Sequence, residues 1–221
     1  MTVLVIAPHP DDEVLGCGGT IAKRAEAGDE VWICVVTEGK EPLYDKEFVD
    51  NEEKEMRSAH KILGVAQTVT LKYPSAELDL ISQRLLNESI SEIVNTLKPD
   101  EVYIPHVGDV HRDHQIVADA AMVACRPNRK HKVKRLLSYE VMSETDWNNP
   151  YAGNAFVPTV YEDISKHLMK KCDAMREYKS QVQEHPSARS FIAIQGLAMH
   201  RGSVVGLEAA EAFMLLREVK V

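Results

Sequence analysis

The sequence predicts an α/β protein of three layers, with helices on both faces of a mostly parallel sheet. Three observations carry that expectation. Short, β-branched, nearly all-apolar runs recur through the first two thirds of the chain, the composition of strands buried on both faces. Between them lie stretches whose apolar residues repeat at helical spacing. The two kinds of segment alternate, and right-handed crossovers wind such an alternation into a parallel sheet wrapped by helices.

Residues 2–7, TVLVIA, form the first expected strand. A polar loop follows, then a helix over residues 20–27 that Gly28-Asp29 ends. Residues 30–36, EVWICVV, are a second buried strand, and residues 37–50, polar and holding Gly39 and Pro42, are a loop. A helix over 52–63 stops at Gly64, a natural C-cap. Residues 67–71 are a third strand. Residues 80–97 place Leu86, Ile90, Val94 and Leu97 on one helical face, and Lys98-Pro99-Asp100 stops them. Residues 101–105 are a fourth strand, 114–125 a helix and 136–141 a fifth strand. The last third is less regular, with helices over 164–178 and 188–199 and a final strand over 212–219. The Asn- and Pro-rich stretch 143–158 divides a sheet core, 1–142, from a C-terminal extension, 143–221, expected to complete the fold and close over a pocket. At 221 residues the whole is read as one domain.

Composition excludes several classes. With 44% hydrophobic and 27% charged residues the chain is not intrinsically disordered. No apolar run approaches the ~18 residues of a membrane span, and residues 3–7 have no basic leader, so no signal peptide or anchor is read. A net charge of -8 argues against nucleic acid as a partner. The basic cluster Arg126, Arg129, Lys130, Lys132, Lys134 and Arg135 reads as a solvated loop. The four cysteines, Cys17, Cys34, Cys125 and Cys172, make neither a C-x-x-C nor a disulfide framework, which places reduced thiols in a cytoplasmic protein. Cys17, Cys34 and Cys125 read as small packing groups.

Ligands of open α/β sheets bind outside the carboxyl ends of the strands. After the first strand stand Pro8-His9-Pro10-Asp11-Asp12-Glu13, and after the fourth His106, Asp109, His111, Arg112, Asp113 and His114. In a parallel sheet both groups end on one edge and face each other. Imidazoles and carboxylates are the ligand set of zinc and its divalent neighbours, and a catalytic ion keeps three protein ligands and one open position. His9 and Asp12 are three apart, as are His111 and His114 where a helix begins. Either cluster alone could be structural, an N-cap with first-turn acids or a solvent-facing histidine pair. Together they crowd like charges that a bound cation would relieve. A rival reading, a nucleotide-binding regulator, takes Gly16, Gly18 and Gly19 as a phosphate turn and Glu38 as a ribose contact. It lacks the third glycine, since position 21 is Ile21, and sets Asp11 and Asp12 against a pyrophosphate.

The stretches APHPDDEVLGCGGTI (7–21) and HRDHQ (111–115) resemble the LmbE-like, or PIG-L, family of zinc-dependent de-N-acetylases; residues 35–39, 59–65, 158–164 and 210–213 echo it more weakly. The resemblance implies a Rossmann-type three-layer fold and removal of the acetyl group of an N-acetylglucosamine unit by water activated at zinc. It implies His9, Asp12 and His114 as metal ligands, Asp11 as general base, His111 as a protonated donor beside the carbonyl oxygen and Asp113 as the partner fixing a histidine ring. It further implies a homo-oligomer. Two positions depart from the family pattern: Arg112 inside the second motif, and Glu52 and Glu53, with Arg57 a turn later, where relatives place a sugar-gripping arginine. A metal amidase or esterase with a non-sugar substrate, and a metal that merely staples two loops, are the other readings.

Overall fold

Alternation along the first strand sorts its residues into two cores. In the computed structural model, which describes residues 1–149 and 151–220, β1 (Thr2–Ala7) sends Val3, Val5 and Ala7 to one face and Leu4 and Ile6 to the other. β2 (Glu30–Glu38) does the same with Val31, Ile33 and Val35 against Cys34 and Val36. A strand buried on both faces has no polar side to show, hence the continuous apolar runs. The first core is closed by α1 (Asp12–Glu26), α2 (Lys46–Leu63), α5 (Leu168–Glu177) and α6 (Phe191–Val204), the second by α3 (Gln83–Leu97) and α4 (Arg112–Ala124). The three-layer expectation holds.

The remaining strands are β3 (Gln67–Pro74), β4 (Glu101–Pro105), β5 (Arg135–Tyr139), β6 (Val160–Asp163) and β7 (Ala210–Glu218). They join one sheet in the order β3-β2-β1-β4-β5-β7-β6. The first five run parallel, and β7 is antiparallel to both β5 and β6. From β1 the chain proceeds outward through β2 and β3, then returns to the other side of β1 for β4 and β5. That reversal leaves a crevice beyond the carboxyl ends of β1 and β4.

Several boundaries differ from the sequence reading. α1 begins at Asp12, eight residues earlier than expected, so Gly16 and Gly19 lie inside it. A Cβ there would stand 2.3 Å from the Tyr139 ring and 2.7 Å from Ile164, so these glycines let the helix press onto β5 and the segment after β6. α2 starts in the expected loop, because the Asp45 side chain accepts from Phe48 N at 2.8 Å and caps it. Residues 78–80 form a separate 3-10 turn before α3. β6 was not anticipated: its four residues, three half-buried and one exposed, carry no apolar run. In the extension, β7 threads between β5 and β6 as part of the sheet. Buried Glu211 of β7 accepts from Gly19 N (2.9 Å), Thr20 N (2.7 Å) and Lys171 Nζ (2.6 Å), tying that strand to α1 and α5. Within the stretch read as a divide, Pro150 lies outside the described residues. The basic cluster is partly spent in ion pairs, Lys134 with Asp100 (2.8 Å) and Arg135 with Glu101 (2.8 Å).

Candidate metal centre and active site

The loop after β1 and the loop from β4 into α4 meet in the crevice. Asp12 and Glu13 are the first-turn acids of α1, and His111 is the N-cap of α4, its Nδ1 accepting from Asp113 N at 3.1 Å. Asp12 Oδ2 lies 3.3 Å from His9 Nδ1 and 3.2 Å from His114 Nε2. The His9 and His114 rings are 5.3 Å apart. So the two distant stretches converge as expected.

Each imidazole is held from behind. His9 Nε2 stands 3.0 Å from Asp113 Oδ2, and His114 Nδ1 stands 2.8 Å from Asp109 Oδ2. An ionised carboxylate only accepts, so both outer nitrogens donate, and His9 Nδ1 and His114 Nε2 turn inward toward Asp12. Asp113 is fixed in turn by Ala76 N (2.7 Å) and Leu78 N (3.2 Å), and Asp109 by Thr145 Oγ1 (2.5 Å).

Two overlapping groups have donor atoms close enough for one ion, His9–Asp12–His114 and His9–His111–Asp113. The first fits better. Asp12 Oδ1 is buried with no hydrogen-bond partner among the described residues, a costly state that a cation would relieve. In the second group the Asp113 oxygens already accept backbone hydrogens, and His111 Nδ1 already accepts one.

Beside the triad, Asp11 takes a backbone conformation rare for a residue with a side chain, φ 102° and ψ −29°. A buried brace holds it there. Glu13 Oε2 accepts from Asp11 N (3.1 Å), while Glu13 Oε1 accepts from Tyr178 Oη (2.7 Å) and His60 Nε2 (3.1 Å). Glu13, a member of the acidic loop by sequence, therefore supports the site from the helical layer. The Asp11 carboxylate points the other way, with Oδ2 accepting from Arg189 Nη1 at 2.8 Å. Burial raises its carboxyl well above the ordinary range, and the Arg189 guanidinium opposes that rise.

Asp11, His9 and His111 line a cavity of about 140 Å³, together with Thr37, Tyr44, Glu52, Ser75, Glu144, Gln181 and Arg189 among others. Burial disfavours a charged His111, and the neighbouring His9 and His114 imidazoles add repulsion, lowering it to about 4. The protonated His111 expected from the sequence is thereby corrected to a neutral imidazole. Its Nδ1 is an acceptor, so the remaining nitrogen carries the hydrogen. For His9 and His114 burial also lowers the pKa, but the surrounding acids win: Asp113 and Asp12 lift His9 to about 9, and Asp12 and Asp109 lift His114 to about 10. Without an ion the inward nitrogens therefore hold protons at neutral pH, and their lone pairs face Asp12 only once a bound cation has displaced those protons.

Other residues of the two loops stay out. His106 is buried and turned to Asn154 O (2.9 Å), and Arg112 is exposed on Gln115 Oε1 (2.7 Å) rather than at the cavity rim. Glu53 pairs with Arg57 on the outer face of α2, whereas Glu52 faces the cavity. Cys17 lies on the buried face of α1 in the core, and burial pushes its thiol well up, as packing requires and a ligand does not.

Burial raises the Glu52 carboxyl from 4.5 to about 7. In that window the folded state holds a proton that the unfolded state has lost, so this group's contribution to stability falls as pH rises from about 4.5 to 7. Metal-free Glu52→Gln should match wild type near pH 4 and exceed it at pH 8, by up to about 3 kcal/mol. Thermal unfolding of both proteins across that range checks this, and a gap that does not widen with pH contradicts it.

A family model described as PIG-L, GlcNAc-PI de-N-acetylase, matches residues 4–125, more than half of the chain and all of the two loops. The chain belongs to the PIG-L family. Among its relatives in that family, an uncharacterized deacetylase of Escherichia coli (strain K12) is 32% identical over 80% of this chain and 90% of its own length. A diacetylchitobiose deacetylase of Thermococcus kodakarensis is 28% identical over 95% of this chain and 80% of its own. The solved N,N'-diacetylchitobiose deacetylase of Pyrococcus horikoshii superposes with a TM-score of 0.77 at 25% identity, covering 97% of this chain and 83% of that one.

Membership of the PIG-L family sets the glycine-turn rival aside, and the packing of Gly16 and Gly19 supplies the physical reason for those residues. What the sequence reading missed is Arg189, beyond the family match. An expected helix over 188–199 would have carried its side chain along a helix. Instead Ser190 caps α6, accepting from Ala193 N at 3.2 Å, and Arg189 stays in the preceding loop. Ser190 before an apolar helical run was the available signal. Among the described residues no helix is long and apolar enough to cross a membrane.

Proposed function

We propose that the chain is a zinc-dependent hydrolase that removes the acetyl group from an N-acetylglucosamine-type amino sugar or its conjugate. One observation carries the reading: a buried, unpartnered Asp12 oxygen between two inward-turned imidazoles, beside an acid-lined cavity, in a PIG-L member. His9, Asp12 and His114 would hold the ion, with Asp113 and Asp109 orienting the rings. When bound, such an ion supplies Lewis acidity toward the acetyl carbonyl and draws the pKa of water toward neutrality.

The chain's own residues do the rest. Asp11 takes the proton of the attacking water and returns it to the amine as the carbon–nitrogen bond breaks, leaving acetate and a free amino sugar. Its brace and Arg189 fix the carboxylate so that no reorientation is needed at the moment of transfer. His111, neutral and carrying a hydrogen, donates to the carbonyl oxygen as negative charge develops there. The cavity is smaller than the ~300–1,000 Å³ typical of sites that engulf a whole ligand, which suits capture of the acetamide end of a larger molecule. Four free, buried cysteines support a cytoplasmic location, and self-association would cover exposed Ile192, Met199 and Val204 on α6.

Acetate release from N,N'-diacetylchitobiose and simple N-acetylglucosamine conjugates tests the reading. Zinc-loaded protein should release acetate, a chelator should stop it without unfolding, and zinc should restore it. Cleavage of plain amides or esters, with every acetylated sugar untouched, would favour the amidase alternative. Unfolding on chelation would assign the ion a stapling role.

A further inference from the structure

Glu52 sits on the second turn of α2 and faces the cavity that Asp11 and His111 line. It is only 9% exposed, yet among the described residues its carboxylate has no hydrogen-bond or ion-pair partner. Buried carboxylates ordinarily collect donors, so one that lacks them and opens into a cavity is placed to meet a donor from outside the chain. The surrounding basic groups are committed elsewhere. Arg57 pairs with Glu53, and Lys40 and Lys72 pair with Glu38.

The cavity's charge points the same way. Arg189 is the one Lys or Arg among its lining residues. It already donates to Asp11 (2.8 Å), Gln181 (2.8 Å) and Ser143 (3.1 Å), with Glu144 at 3.8 Å. No lysine and no uncommitted arginine is left there for an anionic group, while ionised Glu52 and Glu144 both repel one. Thr37, Tyr44 and Ser75 add hydroxyls to the wall, chemistry suited to a polyol.

We propose that Glu52 is a specificity-determining residue that receives a hydrogen-bond-donating, non-anionic group of the substrate, a hydroxyl or a protonated amine near the reacting acetamide, and turns away substrates carrying a carboxylate or phosphate there. The inference rests on the deacetylase reading. It places the substrate among neutral or amine-bearing amino-sugar oligomers rather than acidic glycosides.

Three probes with the same N-acetylglucosamine unit test it: one linked to glucosamine, one to N-acetylglucosamine, and one to malate. Measured above about pH 8, where the Glu52 carboxyl is ionised, wild type should give a kcat/KM for the malate conjugate below that for the other two. Glu52→Gln keeps the size but removes the charge, and should raise the ratio of malate to glucosamine kcat/KM about tenfold. Because the ratio is taken within one protein, partial loss of folded enzyme does not move it. Glu52→Ala also deletes the acceptor, and should raise that ratio while lowering kcat/KM for the uncharged oligomer. An unchanged ratio in both variants, or a wild type that prefers the malate conjugate, overturns the role of Glu52 and leaves the deacetylase reading standing. A wild type that releases acetate from none of the three overturns that reading and this inference with it.

Discussion

Asp11→Asn should lower acetate release by about 10²–10⁴-fold while leaving bound zinc stoichiometric. Asparagine is one of the few residues that tolerates the left-handed region, so the backbone at φ 102° can be retained and the Asp11 N to Glu13 hydrogen bond with it. What is lost is the basic oxygen. The amide cannot take a proton from water, and its single oxygen must choose between Arg189 and the cavity. Breaking a buried ion pair typically costs ~3–5 kcal/mol because a charge is left uncompensated. Here the cost should be smaller, since Gln181, Ser143 and Glu144 still surround the guanidinium. The kinetic and stability effects are therefore separable: kcat at saturating substrate, zinc content and thermal midpoint are measured on one preparation. Wild-type turnover in Asp11→Asn would place the proton acceptor elsewhere.

The fold was legible where local pattern and tertiary environment agree. Strands buried on both faces must be apolar throughout, so β1 and β2 announce themselves and, with the intervening helices, fix a parallel sheet. β6 and the direction of β7 were not legible. A strand of three half-buried residues and one exposed one has no period to read, and nothing in residues 210–218 distinguishes a strand that enters the sheet antiparallel. The early start of α1 was hidden by its glycines, which argue against helix in isolation and are required by the closeness of Tyr139 and Ile164 in the folded protein.

The site was readable for a related reason. Parallel neighbours β1 and β4 deliver their following loops to one edge, so two motifs ninety-odd residues apart can be brought together on paper. Residue type alone, however, does not separate ligands from braces. Glu13 and His106 belong to the same two loops and the same chemistry as Asp12 and His114, yet one props Asp11 and the other holds Asn154. Arg189 reaches Asp11 from 178 residues away, a contact set by how the extension lies over the sheet and by no local pattern.

His114→Ala should abolish zinc binding and with it turnover, since two remaining donors cannot form a three-ligand site. Asp109→Asn is the more informative companion. Val141 N donates to Thr145 Oγ1 at 2.9 Å, so the Thr145 hydroxyl sends its own hydrogen to Asp109 Oδ1, while His114 Nδ1 donates to Asp109 Oδ2. The carboxylate accepts both. An asparagine has one oxygen, so either the threonine or the imidazole loses its acceptor, and an imidazole that loses it is free to turn or to move its hydrogen to the nitrogen that should face the ion. Removing such a partner typically weakens a metal site 10–100-fold. Zinc affinity measured by competition with a chromophoric chelator should fall by that factor in Asp109→Asn, with the protein folded, and to nothing measurable in His114→Ala. Full occupancy in His114→Ala would remove His114 from the ligand set. An unchanged affinity in Asp109→Asn would mean that the ring is held in place by packing alone.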